Sequence, residues 1–268
     1  MLWDTHMHTN YSGDSNAAPD TMVQAAIARG LDGLCFTDHF DYDYPDDPEL
    51  FLLDFSSYQK EIATLRAGYE DKFSICWGVE LGLQPHIADL NRRIASEYPF
   101  DFIIGSSHVV HGVDPYYSKY YDGRSEDEAY LEYFQSILEN LHTDADFDVY
   151  GHIDYVVRYG PNRNRFYSYK KFSDVIDEIL RTLIDMGKGI EINTGGFKYG
   201  LGHPNPCEDI LRHYRSFGGE IITIGSDAHA PEHVAYDFSK VPRILREAGF
   251  THYTVFEKRN PRFLPLPE

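Results

Sequence analysis

The sequence predicts an α/β domain built on a parallel sheet, and three observations carry that reading. Short β-rich runs alternate with longer amphipathic ones, the pattern of parallel strands joined by helical crossovers. A length of 268 residues suits one large domain, residues 1–268, and falls within the range of α/β barrels. Nearly every strand candidate ends in a histidine or a carboxylate, as expected if the carboxyl ends of the strands share one working face. On this pattern alone the sheet is either closed as a barrel or open and doubly wound.

In chain order, a strand over 2–5 leads to a helix over 21–29, which Gly30 ends. A strand over 33–37 precedes a helix over 56–69, and a strand over 73–79 precedes a helix over 86–97. Strand 100–105 is followed by helix 126–141, and strand 148–153 by helix 173–186, with Gly187 at its end. Strand 189–193 leads to helix 207–217, stopped by Gly218, and strand 220–225 to helix 241–247. The Pro/Asp/Tyr-rich stretch 41–48 and the segment 111–123 read as long functional loops. The tail 260–268, with three prolines, is expected along the surface.

Composition narrows the function. No run approaches the ~20 apolar residues of a membrane span, and no basic patch followed by an apolar run opens the chain. A soluble, unexported, cytoplasmic protein with no membrane partner is expected. Three widely spaced cysteines, Cys35, Cys76 and Cys207, suggest neither a disulfide framework nor a thiolate zinc site. A formal charge of −19 argues against polymeric nucleic acid as a partner. It does not exclude a phosphorylated small molecule, because bound divalent cations reverse the local field. Oligomeric state is not fixed by the sequence.

The strand ends carry the chemistry: Asp4-Thr5-His6-Met7-His8, Thr37-Asp38-His39, Gly78-Val79-Glu80, Ser106-Ser107-His108, Gly151-His152-Ile153-Asp154, Glu191-Ile192-Asn193 and Gly225-Ser226-Asp227-Ala228-His229. Strand alternation sends His6 and His8 to one side, so two nitrogens reach one metal ion, and Asp227 with His229 repeats the device. Imidazole and carboxylate without thiolate suit zinc, manganese or iron. The six strand-end histidines and their acids exceed the three or four ligands of one catalytic zinc, so two to three ions are expected, with Glu80 suited to bridge two. Each motif alone has an ordinary explanation: a turn with a helix cap at Thr37-Asp38-His39, a salt-bridged core acid at Glu80, a hydrogen-bonded core imidazole at His108 or His152. Those explanations do not produce the same feature at all seven strand ends. His86, His111, His142, His203, His213, His233 and His252 match no such pattern and read as surface or structural.

Taken in order, the run from Asp4 through Tyr11-Ser12 to Asp14, then Phe36-Thr37-Asp38-His39, Gly78-Val79-Glu80, Ser107-His108, Gly151-His152 and Ser226-Asp227-Ala228-His229, resembles the successive motifs of the polymerase-and-histidinol-phosphatase (PHP) superfamily. The resemblance spans residues 4 to 229 and implies a distorted (β/α)7 barrel with a metal site at the carboxyl ends of the strands. It further implies that His6, His8, Glu80 and Asp227 hold a first ion, Glu80, His108 and His152 a second, and Asp14, His39 and His229 a third. Some family members have histidine where Asp14 stands.

Within the superfamily, residues 151–161 and Glu191-Ile192-Asn193-Thr194 are similar to histidinol-phosphate phosphatases. The implied reaction is hydrolysis of a small phosphate monoester, L-histidinol phosphate, by hydroxide bridging two ions, in a site where Glu80 and Asp227 are ligands. Arg158 is the expected phosphate contact, its planar fork donating to two oxygens. Asp154 or Asp38 is expected to protonate the leaving alkoxide or to orient a ligand histidine, with orientation favoured for Asp38. Some of these enzymes have arginine where this chain has Gly195, so Lys198 or another cation is expected to substitute. The competing readings are a PHP enzyme for another phosphate ester or nucleotide, a non-catalytic metal-binding module, and an amidohydrolase.

Overall fold

The structure, a computed structural model, describes residues 1–70 and 72–268. Its sheet is parallel throughout, with strands β1 (Trp3–Asp4), β2 (Gly33–Phe36), β3 (His39–Phe40), β4 (Ser74–Gly82), β5 (Phe102–Ser106), β6 (Val149–Tyr150), β7 (Gly189–Asn193) and β8 (Ile222–Gly225). Neighbours run β1-β2-β4-β5-β6-β7-β8, and β3 resumes the path of β2 against β4 after a break at Thr37 and Asp38. The two edges meet. Thr5 N–H donates to the Ile224 carbonyl at 2.9 Å, and Met7 and Ala228 form a parallel bridge. Beneath that seam buried Asp4 accepts from the Ser226 backbone and hydroxyl. The result is a sheet drawn round into a distorted barrel of seven strand positions, the closed alternative of the two that patterning allowed.

Helices α1 (Pro19–Ala28), α2 (Phe55–Tyr69), α3 (Ala88–Glu97), α4 (Glu126–Leu141), α5 (Ser173–Asp185), the short α6 (Gly195–Lys198), α7 (Glu208–Ser216) and α8 (Val241–Glu247) fill the crossovers. Their starts follow local chemistry. Pro19 opens α1, Asp54 accepts from the Ser57 amide at the head of α2, and Ser125 with Glu128 forms a reciprocal capping box on α4. Gly30, Gly187 and Gly218 have φ of +73°, +70° and +100°, the left-handed stop expected of them. With helices over the sheet, β2 and β5 are buried at every residue, which is why they read as continuous apolar runs and not as alternating ones. Among the described residues no helix is long and apolar enough to cross a membrane.

The tail lies along the surface as expected, but as part of a strand pair that the sequence did not suggest. His252–Glu257 (β9) and Asn260–Pro265 (β10) form an antiparallel hairpin turned at Lys258 and Arg259, both with positive φ. Phe256 stacks on Phe102 at 5.1 Å, Leu264 and Leu266 are buried, and Arg259 reaches Asp148 at 2.6 Å. This hairpin covers the amino-terminal end of the barrel, opposite the strand ends that carry the histidines.

Candidate metal centre

The strand ends bring His6, His8, His39, Glu80, His108, His152, Asp227 and His229 together, with Asp14 at the rim. Glu80, at the centre and fully buried, lies 3.1 Å from His6 Nε2, 3.5 Å from His8 Nε2, 3.2 Å from His39 Nδ1, 3.3 Å from His108 Nε2 and 3.0 Å from His152 Nε2. Burial alone would push its carboxyl up, but His6, His108 and His39 outweigh that and hold it well below the usual range. Asp227 Oδ1 stands 3.5 Å from His8 and 3.8 Å from His6, and Asp14 lies 3.0 Å from His229 and 3.8 Å from His39.

Outer partners fix which nitrogen faces inward. His6 Nδ1 lies 2.7 Å from Glu191 Oε1, and His108 Nδ1 lies 2.8 Å from Asp41 Oδ1. A carboxylate only accepts, so both Nδ1 atoms carry the proton and both Nε2 lone pairs point at the cluster. His229 repeats this with the Asp227 carbonyl at 3.1 Å. Two close approaches depend on glycine. A Cβ at Gly225 would lie 2.1 Å from Glu191 Oε1, and one at Gly82 would lie 2.0 Å from Asp41 Oδ1.

The residues fit divalent metal. Ligand atoms of His6, His8 and Glu80, of Glu80, His108 and His152, of His8, His39 and His229, and of His39, Asp41 and His108 lie within 4.8 Å of one another in each set. Glu80 Oε2, His39 Nδ1 and Asp41 Oδ2 are buried without a hydrogen-bond partner, an arrangement that costs stability unless a cation accepts their lone pairs. His6 Nε2 and His8 Nε2 face each other at 3.1 Å, as two donors to a common ion do.

Members of the cluster line a cavity of about 290 Å³ together with Arg158, Asp114, Tyr44, Phe51, Tyr116, Tyr117, Tyr155, Tyr159 and Tyr199. Arg158 is 3% exposed, and its Nη1 donates to Asp227 Oδ2 at 2.7 Å. The guanidinium also fills the space over Gly195, where a Cβ would lie 3.0 Å from Nη2. Lys198 instead donates to the Asp227 carbonyl at 3.1 Å and does not line the cavity, so the cation beside Gly195 is Arg158.

Protonation of a leaving alkoxide by Asp154 or Asp38 does not fit, whereas the orienting role favoured for Asp38 does, through Ser12. Neither lines the cavity. Asp154 accepts from the Asn205 amide and the Cys207 backbone. Asp38 accepts from Thr9 and from Ser12, whose hydroxyl lies 3.2 Å from His8 Nδ1, so it supports His8 at one remove. The sequence places Glu191 and Asn193 at a strand end and Asp41 in a functional loop but gives them no role, and it offers no sign of Asn205. Alternation was the available signal for Glu191 and Asp41: Glu191 pairs in face with Asn193, and Asp41 follows His39 by two residues. His111 sits outside the cavity between Glu132 and Glu139 of α4, and His213 rests on Tyr169.

A closed parallel barrel with an imidazole–carboxylate cluster at the carboxyl ends of its strands defines a metal-binding α/β barrel. The chain matches the PHP domain model over residues 4–195 and belongs to that family. It is 32% identical over 257 residues to the histidinol-phosphatase of Lactococcus lactis, covering 94% of this chain and 93% of that protein. The crystal structure of the Lactococcus lactis histidinol phosphate phosphatase complexed with zinc, L-histidinol and phosphate superimposes with a TM-score of 0.91 at 30% identity, covering 97% of this chain and 98% of that one. The hisK structure from Listeria monocytogenes shares the fold at 19% identity, with a TM-score of 0.78 over 89% of this chain and 99% of that one.

Proposed function

We propose that this protein hydrolyses L-histidinol phosphate to L-histidinol and phosphate, using two or three divalent transition-metal ions, zinc, manganese or iron. The observation that carries the reading is the cavity: a metal-ligand cluster, one buried arginine, and a wall of tyrosines around Asp114 share a space sized for a small molecule. The likeness over nearly the whole chain to a structure holding zinc, L-histidinol and phosphate supports it.

In this reading His6, His8, Glu80 and Asp227 hold one ion, Glu80, His108 and His152 a second, and Asp14, His39 and His229 a third. Bound there, the ions supply an activated water and neutralise charge on the phosphoryl group. The protein's own part is positional. Glu191 and Asp41 keep His6 and His108 in the tautomer whose Nε2 faces inward. Arg158 has five N–H groups, of which three are engaged, by Asp227, Asn193 and Asn205, so two remain for phosphoryl oxygens. Asp114 receives the substrate ammonium, and the rings of Tyr116, Tyr155 and Tyr159 receive its imidazole.

The test is a steady-state comparison of metal-loaded protein on histidinol phosphate, an aryl phosphate and a nucleoside monophosphate. A kcat/KM advantage of about a hundredfold or more for histidinol phosphate is expected, about the discrimination that one charge-assisted contact provides. Equal efficiency on all three would leave a phosphoesterase of different substrate.

A further inference from the structure

Behind the cavity the Arg158 guanidinium meets three acceptors at once. Nη1 donates to Asp227 Oδ2 at 2.7 Å, Nη2 to Asn193 Oδ1 at 2.9 Å and Nε to Asn205 Oδ1 at 2.8 Å. Asp227 and Asn193 belong to strand ends of the cluster, but Asn205 comes from the connection between α6 and α7. Its backbone is fixed by a two-way bridge to Asn193, at 2.7 and 2.8 Å. Its side-chain Nδ2 donates to Asp154 Oδ1 at 2.5 Å, and Asp154 Oδ2 accepts the Cys207 N–H at 2.9 Å. Asn193, Asn205 and Asp154 are each 0% exposed.

The order of this relay follows from donor and acceptor chemistry. An amide has one accepting and one donating end, and a carboxylate only accepts, so Asp154 forces the Asn205 Nδ2 toward itself. The oxygen is thereby turned to Arg158. The reverse flip would set an NH2 against a guanidinium N–H and leave both unpaired. Gly195 and Gly196 clear the space: a Cβ at the first would lie 2.7 Å from Asn193 Oδ1, and at the second 3.0 Å from Asn205 Oδ1.

We propose that Asn205, oriented by Asp154, is a positioning residue that acts on substrate through Arg158, holding the guanidinium plane so that its two unengaged N–H groups serve one phosphoryl group. This rests on the phosphoesterase reading above. Without the Asn205 oxygen the guanidinium keeps Asp227 and Asn193 but can rotate about them, and phosphate must then order it on binding.

The experiment measures inorganic phosphate affinity by calorimetry on metal-loaded protein, alongside metal content, for Asn205→Ala, Asp154→Asn and Arg158→Ala, and for each of the first two combined with the third. Asp154→Asn is informative because an asparagine that keeps its oxygen on Cys207 presents NH2 to Asn205 and turns that amide over. Asn205→Ala is expected to weaken phosphate about tenfold and Asp154→Asn a few-fold, with metal content unchanged. In the Arg158→Ala background each is expected to change affinity by less than about twofold, since the group they act through is gone. Equal losses in both backgrounds, or a parallel loss of metal, overturn the proposal. Should Asn205→Ala fail to fold, the Asp154→Asn pair decides alone. Wild-type protein that neither binds phosphate nor hydrolyses any monoester overturns the phosphoesterase reading itself, and this one with it; wild-type activity with additive variants overturns only the relay.

Discussion

Asp227 faces two ways: its Oδ2 accepts from Arg158 Nη1 at 2.7 Å while its Oδ1 stands 3.5 Å from His8 Nε2. Burial would raise this carboxyl, but Arg158 and the neighbouring imidazoles hold it well below the usual range, so it stays an anion available to metal. One carboxylate thus couples the cavity-lining cation to the imidazole–carboxylate cluster. Arg158→Ala is therefore expected to lower kcat/KM about ten- to a hundredfold for any phosphate monoester, the worth of a charge-assisted contact of ~1.5–3 kcal/mol. Arg158→Lys should recover little of it, because an ammonium cannot meet three acceptors in one plane and still present a fork. Full activity in Arg158→Ala would remove arginine from the phosphate site.

The cluster itself should respond in graded fashion. Glu80 lies within 3.5 Å of five imidazoles, so Glu80→Gln and Asp227→Asn are expected to remove nearly all turnover and much of the bound metal. Glu191→Gln, which leaves the ligands in place but weakens the hold on His6 Nδ1, should cost about ten- to a hundredfold. His213, packed on Tyr169, should tolerate alanine with activity intact. Comparable losses from all four, with unchanged circular dichroism, would place the centre elsewhere.

Two glycines separate site geometry from backbone strain. Gly225→Ala sets a methyl 2.1 Å from Glu191 Oε1 and 2.4 Å from the His6 Cβ, so metal content should fall while the barrel persists. Gly187→Ala meets no atom within 4 Å but must adopt φ of +70°, so it should cost about 1 kcal/mol of stability and leave activity alone. Thermal melts paired with elemental analysis distinguish the two; the reverse pattern would contradict the packing.

These contrasts also explain what the sequence made readable. The start of helix α4 was legible because its Ser125–Glu128 capping box is local, and β7 because a buried run sits between Gly187 and a polar end. The β9–β10 hairpin was not, since its turn uses Lys258 and Arg259 in a conformation that favours glycine, and the prolines of β10 argue against a strand. The ligands repeat a motif at each strand end, whereas Glu191, Asp41 and Asn205 act through partners 185, 67 and 47 residues away in sequence. Asp154 likewise answers to a remote partner, since Asn205 lies 51 residues on.

Metal uptake should release protons. Burial disfavours the His39 imidazolium, yet Glu80, Asp14 and Asp41 outweigh it and push the group up to about 9 in the metal-free protein. A ligand imidazole must be neutral, so at pH 7 His39 gives up a proton on binding, and metal affinity should rise with pH until about 9. The sign for folding is opposite. A pKa raised from 6.5 to about 9 stabilises metal-free protein fully below 6.5, and that contribution is lost between 6.5 and about 9. Chelated protein should therefore melt at lower temperature across that window, while the gap to metal-loaded protein widens. Calorimetry in buffers of different ionisation enthalpy checks the first half, and zero net proton release at pH 7 would sink it.

On the proposed reading, substrate choice would fall to Asp114. It lines the cavity, accepts from the Tyr44 hydroxyl at 2.7 Å and the Tyr116 amide at 2.7 Å, and burial raises its carboxyl above the ordinary range. A carboxylate offers about four lone-pair sites, so with two engaged it can still take an ammonium, and an arriving cation would favour its ionised form. Asp114→Asn keeps the shape and removes the charge. For histidinol phosphate, whose amine would lose its counter-ion, kcat/KM should fall about ten- to a hundredfold. For an uncharged aryl phosphate, which has no amine to lose, the change should stay within about threefold. Tyr44→Phe, which frees the carboxylate without removing it, should move the same ratio less. An equal loss on both substrates would mean that Asp114 supports the cavity wall and does not select the substrate, and would return the amine-binding role to other groups around the mouth.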